Sequence, residues 1–183
     1  MANFLTSGIG NTSASTFEMG GLNFLGLLPY KDFVGKHAVV QGTESNSVIA
    51  ISGMSLTTDH KFVEIGFVEG QASYTDAYTP SNTKRFMELT LNATVDTSGK
   101  EAIDRVHNLL LQRKVVALVQ RKNGKWYVLG QSDGLVPAPG NANSGAARGD
   151  DSGITLSFTG GNRGFAAEVT MTDIEIEAVI DRL

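Results

Sequence analysis

From Arg85 to Val95 the chain alternates with a period of two. Phe86, Glu88 and Thr90 stand on one side, and Met87, Leu89, Leu91, Ala93 and Val95 on the other. In extended backbone such a pattern puts every apolar side chain on one face. A strand this long with one greasy face must be covered by a second layer, so the chain is expected to build stacked or curled sheets. At 183 residues, 41% hydrophobic and 19% charged, it is large enough to bury a core within one domain. No apolar run approaches the roughly 20 residues that span a bilayer.

Further strand signals surround this one. Lys36 to Gln41 and Ser47 to Ser52 are separated by a polar turn. Lys61 to Val68 alternates through Phe62, Ile65 and Phe67, and Gln71 to Tyr78 is rich in Thr and Tyr. Thr79-Pro80-Ser81-Asn82 is a turn by composition. Residues 61–95 therefore read as a long hairpin with its tip near Pro80. Val115 to Val119 and Trp126 to Leu129 flank Lys122-Asn123-Gly124-Lys125, where Asn-Gly favours a two-residue type I′ loop. Residues 132–153 read as a polar loop. Ile154 to Phe158 and Phe165 to Met171 read as strands joined by a turn at Gly160-Gly161-Asn162, and Ile174 to Ile180 as a last strand. With 21 glycines for turns, about ten strands result.

One helix is expected, over about 99–112. Ser98 and Glu101 have capping-box spacing, and Ile103, Val106, Leu109 and Leu110 share a face. The fold class is thus mainly β, a β-sandwich or partial barrel with one flanking α-helix. Residues 1–30 differ: they are rich in Gly, Ser and Thr, with isolated apolar residues. They read as an extended arm ahead of a single domain over 31–183. The arm's apolar residues Phe4, Leu5, Ile9, Phe17, Leu22, Phe24, Leu25, Leu27 and Leu28 would dock on a neighbouring subunit or along the domain itself. Nothing basic precedes the first apolar residues, so a signal peptide is not expected.

Catalytic motifs are missing. His37, His60 and His107 have no ligand spacing, no G-x-S-x-G elbow or phosphate-binding glycine loop is present, and Cys is absent. No metal, cofactor or catalytic residue is expected, and the chain reads as a non-enzyme. The net charge is −4, and the densest basic set, Arg113, Lys114, Arg121, Lys122 and Lys125, reads as a solvated strand edge.

The helix at 101–112 runs into Lys114-Val115-Val116-Ala117-Leu118-Val119 and then Asn123-Gly124-Lys125-Trp126-Tyr127-Val128-Leu129-Gly130. Asp133-Gly134-Leu135, Ser144-Gly145, Gly149-Asp150 and Gly153-Ile154-Thr155-Leu156-Ser157-Phe158-Thr159-Gly160 follow. In this order and spacing, the chain over about 36–160 resembles a group of phage and prophage virion proteins from Bacteroidetes-type hosts, and with them the tail-tube (major tail) family of tailed bacteriophages. The resemblance implies a sandwich flanked by a helix, with a long hairpin, assembled into stacked hexameric rings around a channel for DNA. Its partners would be identical subunits, other virion proteins and passing genomic DNA that is not bound specifically, with no membrane. The location would be the virion tail, after synthesis in the bacterial cytoplasm. On this view Asp76 and Glu88 would line the lumen or its rim, with Glu64 and Glu69 less central. The alternatives are a capsid decoration or a head–tail connector (neck) protein, and further off a carbohydrate- or receptor-binding module.

Overall fold

A computed structural model of the chain describes residues 20–41, 48–80, 85–95, 100–140, 142–143 and 153–182. The chain is mainly β. In order it forms β1 (Leu22–Pro29), a 3-10 turn (Tyr30–Asp32), β2 (Phe33–Gln41), β3 (Val48–Leu56), β4 (Phe62–Glu64), β5 (Ala72–Pro80) and β6 (Arg85–Val95). There follow α1 (Lys100–Leu110), β7 (Val115–Arg121), β8 (Trp126–Leu129), β9 (Val136–Ala138), β10 (Ala142–Asn143) and β11 (Gly153–Asn162). The chain ends with β12 (Ala167–Val169), α2 (Asp173–Ala178) and β13 (Ile180–Asp181).

Two sheets result. The larger has eight strands in the order β13-β4-β1-β7-β8-β12-β3-β2, and the smaller runs β10-β11-β6-β5, with β9 also on β11. The alternation in β6 does what it requires: Leu89, Leu91, Ala93 and Val95, beside Leu156 and Phe158 of β11, face Leu25 and Leu27 of β1 and Ala117 and Val119 of β7 in one cluster between the sheets. The other face of the large sheet is buried too. Phe62 of β4 and Ile51 of β3 stand far apart in strand order yet share a second cluster with Val116, Leu118, Val128 and Ile176. The sheet therefore curls into a half-barrel around its own apolar face, and α2 closes it with Ile176. Burial on both faces explains why β7 reads as an unbroken apolar run (Val115 to Val119) and does not alternate.

The structure corrects several sequence expectations. Leu22, Phe24, Leu25, Leu27 and Leu28 are not arm residues. β1 lies inside the large sheet, paired with β4 and with β7 from Leu22↔Arg121 to Pro29↔Val115, and all five side chains are buried. An eight-residue apolar strand found its cover in its own domain, so the boundary expected at residue 30 falls before Leu22. Phe4, Leu5, Ile9 and Phe17 lie outside the described residues. The expected hairpin over 61–95 is confined to β5 and β6, registered from Ala72↔Ala93 to Pro80↔Arg85, while β4 leaves for the other sheet. At 122–124 the loop has three residues, not two. Arg121 N–H bonds Lys125 O, Gly124 N–H bonds Arg121 O, and Gly124 alone takes a positive φ (+83°), so the glycine supplies a bulge and Asn123 stays right-handed.

Further along, β11 runs through Gly160-Gly161-Asn162 and turns only at 163–166. The expected polar loop 132–153 contains β9 and β10. The expected terminal strand is mostly α2: Thr172 Oγ accepts from Glu175 N–H while the Glu175 carboxylate accepts from Thr172 N–H, a complete capping box. The Ser98 end of the expected α1 cap lies outside the described residues.

Candidate functional site

The surface that stands out is the outer face and free edge of the five-stranded sheet. Side chains opposite one another in an antiparallel pair share a face. Ala77↔Glu88, Thr75↔Thr90 and Ser73↔Asn92 pair across β5 and β6, and Asn92↔Ser157, Thr90↔Thr159 and Thr94↔Thr155 across β6 and β11. All lie on the face away from the core, so this face is mostly hydroxyl and amide groups, with Glu88 the one charged residue among these pairs and the exposed Phe86, opposite Thr79, on the same side. At one margin β5 ends the sheet over nine residues and no described strand pairs with its far side. At the opposite margin the strands are short, and β9 carries Pro137. The two margins are unlike.

Asp76 is not on that face. It pairs with Leu89 and so points toward the core side, opposite to Glu88. The expectation that the two acids line a common surface is corrected by this register. Asp76 is half-buried, its Oδ2 accepts Ala166 N–H at 2.8 Å, and its Oδ1 is buried without a hydrogen bond. Burial raises its pKa above the ordinary carboxylate value, against the pull of the Ala166 N–H and the Arg121 charge. Glu64 sits 3.6 Å from Arg182, and Glu69 lies on the exposed turn after β4, 3.5 Å from Lys122.

Beside Asp76, Arg121 lies between two rings, 4.9 Å from Tyr74 and 4.4 Å from Tyr127, and donates to the Tyr74 hydroxyl. Desolvation pushes the Tyr74 pKa up to about 12, although Arg121 works in the other direction. This cluster closes the sandwich beneath the free edge. The other basic residues of the densest set do not form an edge either: β7 and β8 are interior strands, and Lys114, Lys122 and Lys125 meet Asp133, Glu69 and Glu168. Trp126 packs on Phe24 with ring centroids 5.2 Å apart, a core contact.

The histidines are dispersed. His60 Nδ1 lies 3.0 Å from the buried Asp32 Oδ2, without a well-aligned hydrogen bond, and His107 borders a cleft beside α1. Among the described residues, no group of three His, Cys, Asp or Glu side chains could hold a metal ion. No helix of the described residues is long and apolar enough to cross a membrane.

The fold and this surface define a two-sheet, mainly β protein with one largely polar sheet face beside an edge that no described strand pairs. No protein-family model, curated protein or solved structure matches the chain.

Proposed function

We propose that the chain is a non-enzymatic structural subunit of a phage virion, forming stacked, six-membered rings of a tail tube through which DNA passes. The observation that carries this reading is the nine-residue edge of β5, which no described strand pairs, beside an outer face rich in Ser, Thr and Asn. An unpaired edge of that length is a template for another strand, and the inward Asp76 and terminal Pro80 restrict which strand can add there. Pairing β5 of one subunit with the β9–β10 margin of the next hides both edges once the ring closes. The five-stranded sheets would then join into one barrel with the hydroxyl face inward. Such a lining offers a DNA phosphate neither a cationic grip nor a base-reading groove. Glu88 adds a ring of negative charge that repels the backbone. Identical subunits and neighbouring virion proteins are the partners, and the tail is the location.

Negative-stain micrographs of the purified chain test this. Six-fold rings or tubes are the expected result. Trimers or a flat lattice would point to a capsid-surface or neck protein, and single particles at all concentrations would reject the assembly.

A further inference from the structure

A strand at the margin of a sheet pairs with others unless something on it resists a neighbour, and an inward-pointing charge is one such device. β5 carries one. Asp76 points to the core side of the five-stranded sheet, opposite Leu89 of β6, on a strand whose far side no described strand pairs. Its Oδ2 accepts Ala166 N–H at 2.8 Å, which ties the 163–166 turn to this strand, and its Oδ1 is buried without a hydrogen bond. The elements around it compensate only in part. From β7, Arg121 brings a positive charge, but its guanidinium donates to the Tyr74 hydroxyl and lies between the rings of Tyr74 and, from β8, Tyr127. β6 sets Glu88 on the opposite face, and Arg163 of the turn is exposed.

We propose that strand addition at β5 is coupled to protonation of Asp76, so that this edge accepts a second copy of the chain more readily in acid than at neutral pH. The inference rests on the assembly reading above and adds its regulation. A strand laid along β5 covers the part of the Asp76 side chain that is still exposed. An ionised carboxylate with one oxygen already lacking a donor then loses its remaining hydration. A neutral carboxyl loses less, and its O–H can donate to the incoming strand. Burial already raises the Asp76 pKa in the single chain, against the Ala166 N–H and the Arg121 charge. Further burial raises it again, so joining takes up a proton. The gain in assembly is fully present below the single chain's pKa and is lost as pH climbs through the assembled value. Between the two, the assembly constant should fall by up to about tenfold per pH unit for each edge joined.

Sedimentation of the full chain from about pH 4 to 8 tests this. The concentration at half-assembly should rise with pH in the wild type. In Asp76→Asn it should be lower than in the wild type near neutral pH, and it should vary less with pH. Asp181→Asn removes the same charge from an exposed site at the margin of the other sheet and should follow the wild type. If Asp76→Asn and Asp181→Asn assemble at the same concentration at every pH, the proposal is overturned and the assembly reading stands. Chains that stay single throughout, wild type and variants alike, overturn both. Should Asp76→Asn not fold, proton uptake by the wild type decides. Assembly in weakly buffered solution across the same range should take up protons, and assembly without uptake would overturn the proposal.

Discussion

Asp76 shows how one carboxylate can count against the fold that holds it. Its pKa is raised chiefly by burial, so the folded state favours the protonated form. Any stability tied to that proton is present below the unfolded value of about 3.9 and is lost as pH rises through the folded value. Asp76→Asn keeps an acceptor for Ala166 N–H and removes the charge. It should unfold at the same or a higher temperature than the wild type at pH 7, with the difference vanishing below about pH 4; thermal scans across that range check this. Arg121 acts in the opposite sense. Its guanidinium fills the gap between Tyr74 and Tyr127, so Arg121→Ala should cost about 1–2 kcal/mol in denaturant titrations. Arg121→Lys should recover little, because an ammonium loses the broad, weakly hydrated guanidinium contact with both rings and its hydrogen bond to the Tyr74 hydroxyl. Neither role was legible in the sequence. Asp76 in a Thr-rich strand looks like a surface acid, and only the register that sets it opposite Leu89 turns it inward.

At the scale of elements, legibility followed how much each segment owed to its own pattern. β6 and α1 carry their periodicity within themselves and formed nearly where the sequence put them, over Arg85–Val95 and Lys100–Leu110. β1 is apolar at nearly every position because both faces are buried. That leaves no period to read, and the Gly- and Ser-rich residues before it invited grouping with them. In α2 the run Ile174-Glu175-Ile176-Glu177 imitates a strand, but Ile174 is 84% exposed and Ile176 is buried. The deciding signal was the Thr172-x-x-Glu175 cap, which starts a helix where the alternation argued for a strand. Thr172→Ala should therefore cost about 1 kcal/mol. Ile176→Ala, which opens a hole under the curled sheet, should cost about 2–5 kcal/mol. Chemical denaturation of the two variants would rank them. Gly130 is a further constraint the sequence hid. Its φ is +76° and an added Cβ would lie 2.8 Å from Leu135, so Gly130→Ala should destabilise the turn after β8 through both strain and overlap.

For the whole molecule, the corrected boundary changes what truncation should do. A chain beginning at Gly20 keeps β1 between β4 and β7, and should still unfold cooperatively. A chain beginning at Pro29 loses five buried side chains and the strand that joins the two, and should have no cooperative transition by circular dichroism. The mainly β character was legible because turns and alternating runs recur at short spacing along the chain. The division into two sheets was not, since β4 and β5 are adjacent in sequence yet belong to different layers. The same division places a hydroxyl-rich face and an edge that no described strand pairs on one sheet, and Glu88→Lys examines that face. On the proposed tail-tube reading, this charge reversal should leave rings intact and slow DNA passage in reconstituted particles.

The proposal as a whole rests on the far side of Ala72–Pro80 being satisfied by another copy of the chain. Amide exchange along that strand, followed from dilute to concentrated protein, measures this directly. The alternate amides that point away from β6 should exchange freely in the dilute state and become protected as higher-order species form. Exchange that stays fast at every amide on that side while rings or tubes assemble, or a chain that remains single at high concentration, would contradict it.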